Sequence, residues 1–151
     1  MILVRPYVLA DREFVLSLAP RLAIGIPSWR DPHKMIETAQ GWITGSIEQH
    51  GKMTMIFVAE DEQGDRLGFA TVSHSTHFTG EGQAYIGELA TSEAAEGRGV
   101  GKALARACEQ WAREQGYRIL TLATGAANER ALGFYRRMGY LDEDVTLVKL
   151  L

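Results

Sequence analysis

The sequence has a single cysteine, Cys108, so no disulfide can close within the chain, which fits a reducing compartment. No apolar run approaches the ~20 residues that a membrane-spanning helix requires. The first residues, Met1-Ile2-Leu3-Val4-Arg5, lack the basic segment followed by an apolar segment that marks a secretory signal. Positive charge is not in excess: 16 lysines and arginines against 19 aspartates and glutamates give a formal net charge of −3, which argues against a dedicated nucleic-acid binder. Internal repeats, low-complexity tracts and linker-like stretches are also missing, so nothing divides the 151 residues into two units. What is there, 46% hydrophobic and 23% charged residues, is the composition of a globular domain able to bury a core. The expectation is one soluble, cytoplasmic domain over residues 1–151 that binds neither membrane nor nucleic acid.

Periodicity supplies the elements. Residues 2–5 read as a short strand. Asp11 reads as the N-cap of a helix whose apolar face is Phe14, Val15 and Leu18, ending near Pro20. Asp31-Pro32 is a second helix start, a capping carboxylate followed by proline at the first helical position. Ile36, Ala39, Ile43 and Ile47 then recur every three or four residues up to Gly51. Residues 53–60 and 67–73 read as strands joined by a turn at Gln63-Gly64-Asp65, and 85–91 as a third strand after a polar, glycine-rich loop. A helix over 99–115 carries Val100, Leu104, Ala107, Cys108 and Trp111 on one face. A strand over 119–124, a helix over 128–138 closed by Gly139, and a final strand over 145–150 complete the order β-α-α-β-β-β-α-β-α-β. A strand meander followed by βαβ units predicts an α/β fold with a mixed sheet and helices on both faces.

Glu96-Gly97-Arg98-Gly99-Val100-Gly101-Lys102 joins a strand to a helix. Three glycines at alternate positions let the backbone turn tightly with its N–H groups uncovered, and a helix start already carries unpaired donors and partial positive charge. That combination suits a diphosphate; a plain connecting turn is the alternative. Two known phosphate loops do not match. A P-loop requires glycine at the position of Glu96 and Ser or Thr at that of Ala103. A dinucleotide fingerprint requires glycine at Lys102 or at Leu104.

Further along stands Asn128-x-x-Ala131-x-x-Phe134-Tyr135-x-x-x-Gly139-Tyr140. The two segments together, in this order and at this separation, resemble the GNAT superfamily of acyl-CoA N-acyltransferases, whose pattern is [Gln/Arg]-x-x-Gly-x-[Gly/Ala], a strand, then Asn-x-x-Ala-x-x-Phe-Tyr-x-x-x-Gly-Phe. The resemblance is strong from 85 to 140 and weak from 20 to 52. It implies a mostly antiparallel central sheet with a V-shaped splay between strands 4 and 5. One departure stands out: Glu96 occupies the place of the family's Gln or Arg, where a carboxylate would repel phosphate unless it turned away or paired, Arg98 being the neighbour at hand.

What the resemblance implies about the site follows residue by residue. Acetyl-CoA would be the co-substrate, with no metal. Its pantetheine arm would pair with the main chain of Leu89, Ala90 and Thr91 and meet Asn128. Its diphosphate would rest on Gly97, Arg98, Gly99, Val100, Gly101 and Lys102, and Arg136 or Arg137 would be near the adenosine phosphate. Tyr135 would be the general acid for the leaving thiolate; core packing is its other reading. Glu88, placed after Gly87 in an apolar strand, is the candidate base, with a solvent-facing position as the alternative. His74 and His77 are weaker base candidates and too few for a metal site; Cys108 reads as core. The acceptor, a small-molecule or peptide amine, would meet Trp29 and Phe78 as an apolar wall, with Arg30 for a carboxylate or Glu81 for a cation. A non-catalytic acyl-CoA-binding module on the same fold is the competing function. The apolar end of the chain is compatible with a homodimer and equally with an internal strand.

Overall fold

The computed structural model describes residues 1–151. Leu3–Pro6 (β1), Thr54–Glu60 (β2), Arg66–Thr76 (β3), Gly82–Thr91 (β4) and Leu120–Leu122 (β5) form one sheet in the order β1-β2-β3-β4-β5. The first four strands are antiparallel neighbours, and β5 runs parallel to β4. The helices are Arg12–Ser17 (α1), Pro32–Gln49 (α2), Val100–Glu114 (α3) and Glu129–Arg137 (α4). No helix is long and apolar enough to cross a membrane.

Strand alternation divides the core into two layers. Ile56, Val58 and Phe69 pack under α1 and α2 with Val15, Ala39 and Ile43. Ala70, Val72, Ala84 and Ile86 pack under α3 with Val100, Leu104 and Cys108. The expected mixed sheet with helices on both faces is therefore present. Local signals explain the helix bounds. Asp31 accepts the His33 N–H at 2.9 Å and Pro32 occupies the first turn of α2; beyond its end, Gly51 adopts φ +81°, which suits glycine.

The β4–β5 ladder is short. Ala84, Tyr85 and Ile86 pair with Leu120, Thr121 and Leu122, after which β4 continues to Thr91 while β5 stops. The two strands part, and the gap between them is the splay that the resemblance implies.

Two expectations need correction. Asp11 precedes α1 but does not cap it. Its carboxylate is buried and accepts from Arg5 (2.8 and 2.9 Å), from Arg66 Nε (2.6 Å) and from the Val8 N–H (2.8 Å), tying β1 and β3 to the turn before α1. Two arginines outcompete the helix amides because a buried charge needs an opposite charge. The strand expected over 145–150 does not form: residues 141–151 carry no helix or strand, and Val145, Leu147 and Leu150 are exposed. A strand exists only with a partner ladder. The segment leaves α4 beside its last turn, where Arg136 holds Asp142 through two bonds of 3.0 and 2.7 Å, and it makes no ladder with β5, whose assigned partner is β4.

Burial pushes the Asp11 carboxyl up, and the hydrogen bonds from Arg5 and Arg66 outweigh burial and hold it well below the usual carboxylate range. A depressed native pKa stabilises the fold above the unfolded pKa of about 3.9, and the contribution is lost as pH falls toward the native value. Asp11→Ala is expected to cost about 3 kcal/mol in urea unfolding at pH 7, the lower end for a broken buried pair because both arginines are partly exposed. The gap between wild type and variant should shrink as pH drops below about 4; a gap that is the same at pH 3 and pH 7 would contradict this.

Candidate active site

The site begins with an extra residue in β4. Ala70 pairs with Leu89 and Val72 with Ile86, so Thr71 alone faces both Gly87 and Glu88, which is a β-bulge. The bulge changes which face each residue of β4 presents. Before it, Ala84 and Ile86 face α3; after it, Ala90 lies in the opposite layer. Glu88 thereby turns toward α2 instead of α3. A bulge leaves one backbone N–H without a ladder partner, and here Glu88 N–H donates to Thr71 Oγ1 at 2.9 Å. A Cβ at position 87 would stand 3.1 Å from that same oxygen, so glycine keeps the hydroxyl in reach.

Thr71 Oγ1 also donates to Glu88 Oε2 at 2.5 Å, and Ser46 Oγ on α2 donates to Oε1 at 3.0 Å. Glu88 is only 5% exposed. Burial raises its pKa, and the two hydroxyl bonds only partly oppose this. No cation pairs with it.

Glu88 lines a cavity of about 360 Å³ in the splay between β4 and β5. One wall is β4 from Ile86 to Leu89; another is the chain after β5, Ala123 to Gly125; a third is α4, through Asn128, Ala131 and Tyr135. Burial, with a smaller contribution from nearby Cys108, pushes the Tyr135 phenol up to about 12, so it stays protonated at neutral pH. The fourth wall is residues 21–27 with Met35 and Trp42 of α2. Gly25 brings that segment onto α4: it has φ +78°, and a Cβ there would lie 2.6 Å from Asn128 Cβ. Asn128 Oδ1 accepts the Ala131 N–H at 3.2 Å, capping α4, and its Nδ2 donates to Ile24 O at 3.3 Å.

The glycine turn sits at the start of α3. Gly97 and Gly99 have φ +76° and +83°, values that L-residues with a Cβ avoid. The amides of Gly97, Gly99, Val100, Gly101 and Lys102 donate to no other backbone group. Gly101 leaves room for the Phe134 ring, whose Cζ would be 3.5 Å from an added Cβ, which seats α4 against α3. Glu96 does not pair with Arg98. Arg21 and Arg130 bind its two oxygens, Arg130 at 3.0 Å, and they hold its carboxyl below the usual range. Next to the turn, Lys102, Arg106 and Arg137 line a second depression of about 450 Å³, whereas Arg136 is engaged by Asp142.

Residues 19–140 match the model of the Acetyltransferase (GNAT) family. The chain belongs to this family. Streptothricin acetyltransferase of Streptomyces lavendulae is 36% identical over 84 residues, 56% of this chain and 43% of that protein. The L-methionine sulfoximine/L-methionine sulfone acetyltransferase of Pseudomonas paraeruginosa is 26% identical over 74% of this chain and 63% of its own length. The matched part thus spans less than two thirds of these relatives. Among solved structures, AAC(6')-Iy in complex with a CoA-S-monomethyl-acetylneamine bisubstrate analogue has a TM-score of 0.74 at 17% identity, over 100% of this chain and 99% of that one. Glucosamine-6-phosphate N-acetyltransferase from Arabidopsis thaliana has a TM-score of 0.69 at 16% identity, over 99% and 98%. These likenesses show the shared fold.

On this GNAT frame the structure brings Glu88, Leu89, Asn128 and Tyr135 to one cavity, with Ala90 and Thr91 further along the same strand. Trp29, Arg30 and Phe78 are exposed and do not line it. The apolar side chains that line the cavity from the 21–27 segment and α2 include instead Ile24, Ile26, Pro27, Met35 and Trp42; the sequence signal for part of this wall was Gly25 and Pro27 in an otherwise apolar loop. Ser46 and Thr71 carried no signal, since their role depends on the bulge. His74 bonds the Tyr117 hydroxyl and packs edge-on against Trp111 on the α3 side. His77 bonds Thr79 within the β3–β4 turn. Cys108 is fully buried, its thiol pushed up to about 12 by burial, which suits packing and not a nucleophile. No group of three or more His, Cys, Asp or Glu converges as metal ligands would.

Gly25→Ala is expected to destabilise the fold by about 2 kcal/mol, because a Cβ meets both the left-handed backbone and Asn128. Gly45→Ala, in α2 with open space around it, should gain about 0.5–1 kcal/mol. Urea melts of both variants check the pair; a neutral Gly25→Ala would mean that the 21–27 segment is not held on α4.

Proposed function

We propose that the protein transfers an acetyl group from acetyl-CoA to a primary amine of a small molecule or peptide, by direct attack in a ternary complex. The observation that carries the reading is the meeting, in one cavity, of a buried carboxylate without a cation and a protonated phenol, next to a turn of unpartnered amides. The relatives named acetyltransferases and the CoA-derived ligand of the AAC(6')-Iy complex support it.

The donor fits the residues present. The free amides of the turn and the start of α3 offer hydrogen bonds and partial positive charge to a diphosphate, Lys102, Arg106 and Arg137 offer charge beside it, and the open splay gives an extended arm a strand edge to follow at Leu89, Ala90 and Thr91. When bound, acetyl-CoA supplies the thioester: the amine nitrogen forms a C–N bond to its carbonyl carbon as the C–S bond breaks, giving the amide and coenzyme A.

Glu88 takes the proton that the ammonium or the attacking amine must lose. Its raised pKa brings it nearer to the amine's, which makes it a better acceptor than a solvated carboxylate. Ser46 and Thr71 hold both oxygens in place. The backbone N–H of Leu89 or Ala90 faces the developing oxyanion. Tyr135 donates toward the departing sulfur. With its pKa near 12 and a thiol near ~8.5, complete transfer is uphill, so its contribution is a hydrogen bond that strengthens as charge develops on sulfur.

Glu88→Gln and Tyr135→Phe are each expected to lower kcat about 100-fold while the calorimetric Kd for coenzyme A changes less than about two-fold. In the wild type, kcat should rise as pH increases through the raised Glu88 pKa, and this limb should vanish in Glu88→Gln. Undiminished turnover in both variants would sink the assignment. Glu96→Gln removes a negative charge beside the turn, so coenzyme A binding should tighten about three-fold at low salt, with the effect fading as salt screens it; weaker binding would show that the carboxylate is needed to position Arg21 and Arg130.

A further inference from the structure

We infer that the acceptor is a monoamine with an apolar body and no carboxylate, an alkylamine or aromatic amine bound through its nitrogen at Glu88 and through its hydrocarbon against the 21–27 segment and α2. This rests on the acetyl-transfer reading and narrows it.

Charge around the cavity decides the first half. Glu88 is the single carboxylate in the lining and Arg21 the single cation. Arg21 is already committed: its Nε donates to Thr91 O at 3.0 Å and its Nη2 to Glu96. It is oriented toward the β4 end and the glycine turn, away from the acceptor wall. An amino acid would bring its own carboxylate next to the Glu88 carboxylate, with no free cation to receive it. Like charges at close range and an unpaired buried anion both oppose binding. A polycation fares little better, because one buried carboxylate can serve only one ammonium.

The lining decides the second half. The apolar part of the lining includes Ile24, Ile26, Pro27, Met35 and the half-exposed indole of Trp42. Among their side chains only the indole N–H can donate a hydrogen bond, and the other polar side chains of the lining are few: Thr124, Asn128 and Tyr135 beside Glu88 and Arg21. Asn128, the neutral amide of the cavity, spends its oxygen on Ala131 and one N–H on Ile24 O. A hydroxyl-rich acceptor such as a sugar would leave most of its hydroxyls without a protein partner here, which an apolar wall disfavours. A hydrocarbon body gains from burial against the same surface.

The test follows thiol release from acetyl-CoA with 2-phenylethylamine, L-phenylalanine and glucosamine as acceptors. The first two share one hydrocarbon body and differ by the carboxylate. The kcat/KM for 2-phenylethylamine should exceed that for phenylalanine and for glucosamine by about 100-fold, the size of discrimination that an unpartnered polar group produces. Ile26→Asp, on a loop, should raise the KM for 2-phenylethylamine at least about ten-fold and leave the calorimetric Kd for coenzyme A within two-fold. Equal or better use of phenylalanine or glucosamine would overturn the acceptor inference and leave acetyl transfer standing. Thiol release with none of the amines, by protein that binds coenzyme A, would overturn both.

Discussion

An extra residue in a paired strand has to go somewhere, and in this chain its accommodation arranges the site. Thr71 faces two residues of β4, Gly87 and Glu88. The offset turns Glu88 away from the α3 layer, and the hydroxyl of Thr71 receives the N–H that the ladder cannot. A side chain at 87 would crowd that hydroxyl. Without the bulge, Glu88 would point with Ile86 into the apolar layer under α3, where a carboxylate has no partner. The same offset coincides with the end of β5 pairing, so the place where β4 changes its facing is also the place where the sheet opens. Base candidate and cleft thus share one backbone cause.

The second constraint is electrostatic. A glutamate at the head of a turn of unpartnered amides looks out of place until its partners are seen. Arg21 comes from the turn after α1 and Arg130 from α4, and both meet Glu96. Two cations answer its one negative charge, so the local sum is positive. The pairing with Arg21 also ties the 21–27 segment to the rim of the glycine turn, because Arg21 belongs to the chain that leads into Gly25. These pairs are exposed enough that their contribution to stability is small; their effect lies in where they hold the arginines.

Most of the fold was legible because it rests on short-range signals. The Asp31-Pro32 start, the Ile36–Ala39–Ile43–Ile47 stripe and the two glycine motifs each act within a few residues, and the structure shows each element where those signals put it. The misreadings involve partners distant in sequence. Asp11 reads as a cap because the sequence does not show that Arg66 lies beside it. The 145–150 segment has strand composition, but composition cannot supply a neighbouring ladder. Trp29 and Arg30 share a loop with Ile24, Ile26 and Pro27, yet only the latter line the cavity, where Gly25 closes onto Asn128, a contact across 103 positions of sequence, and Phe78 lies in the separate β3–β4 turn. Ser46 and Thr71 are ordinary hydroxyl residues until the bulge aims Glu88 at them.

Two buried carboxylates in one small domain show how environment assigns their roles. Asp11 receives four hydrogen bonds, three of them from arginines, and its pKa falls. A carboxylate so satisfied is a poor proton acceptor and a good anchor. Glu88 receives two bonds from neutral hydroxyls and its pKa rises. Its ionised form is tolerated but not neutralised, so an arriving cation gains what the protein withholds. In the proposed reaction that difference would suit an ammonium at Glu88: its charge would be paired only when the amine is present, and once the proton had moved, both partners would be neutral and the nitrogen lone pair free to attack.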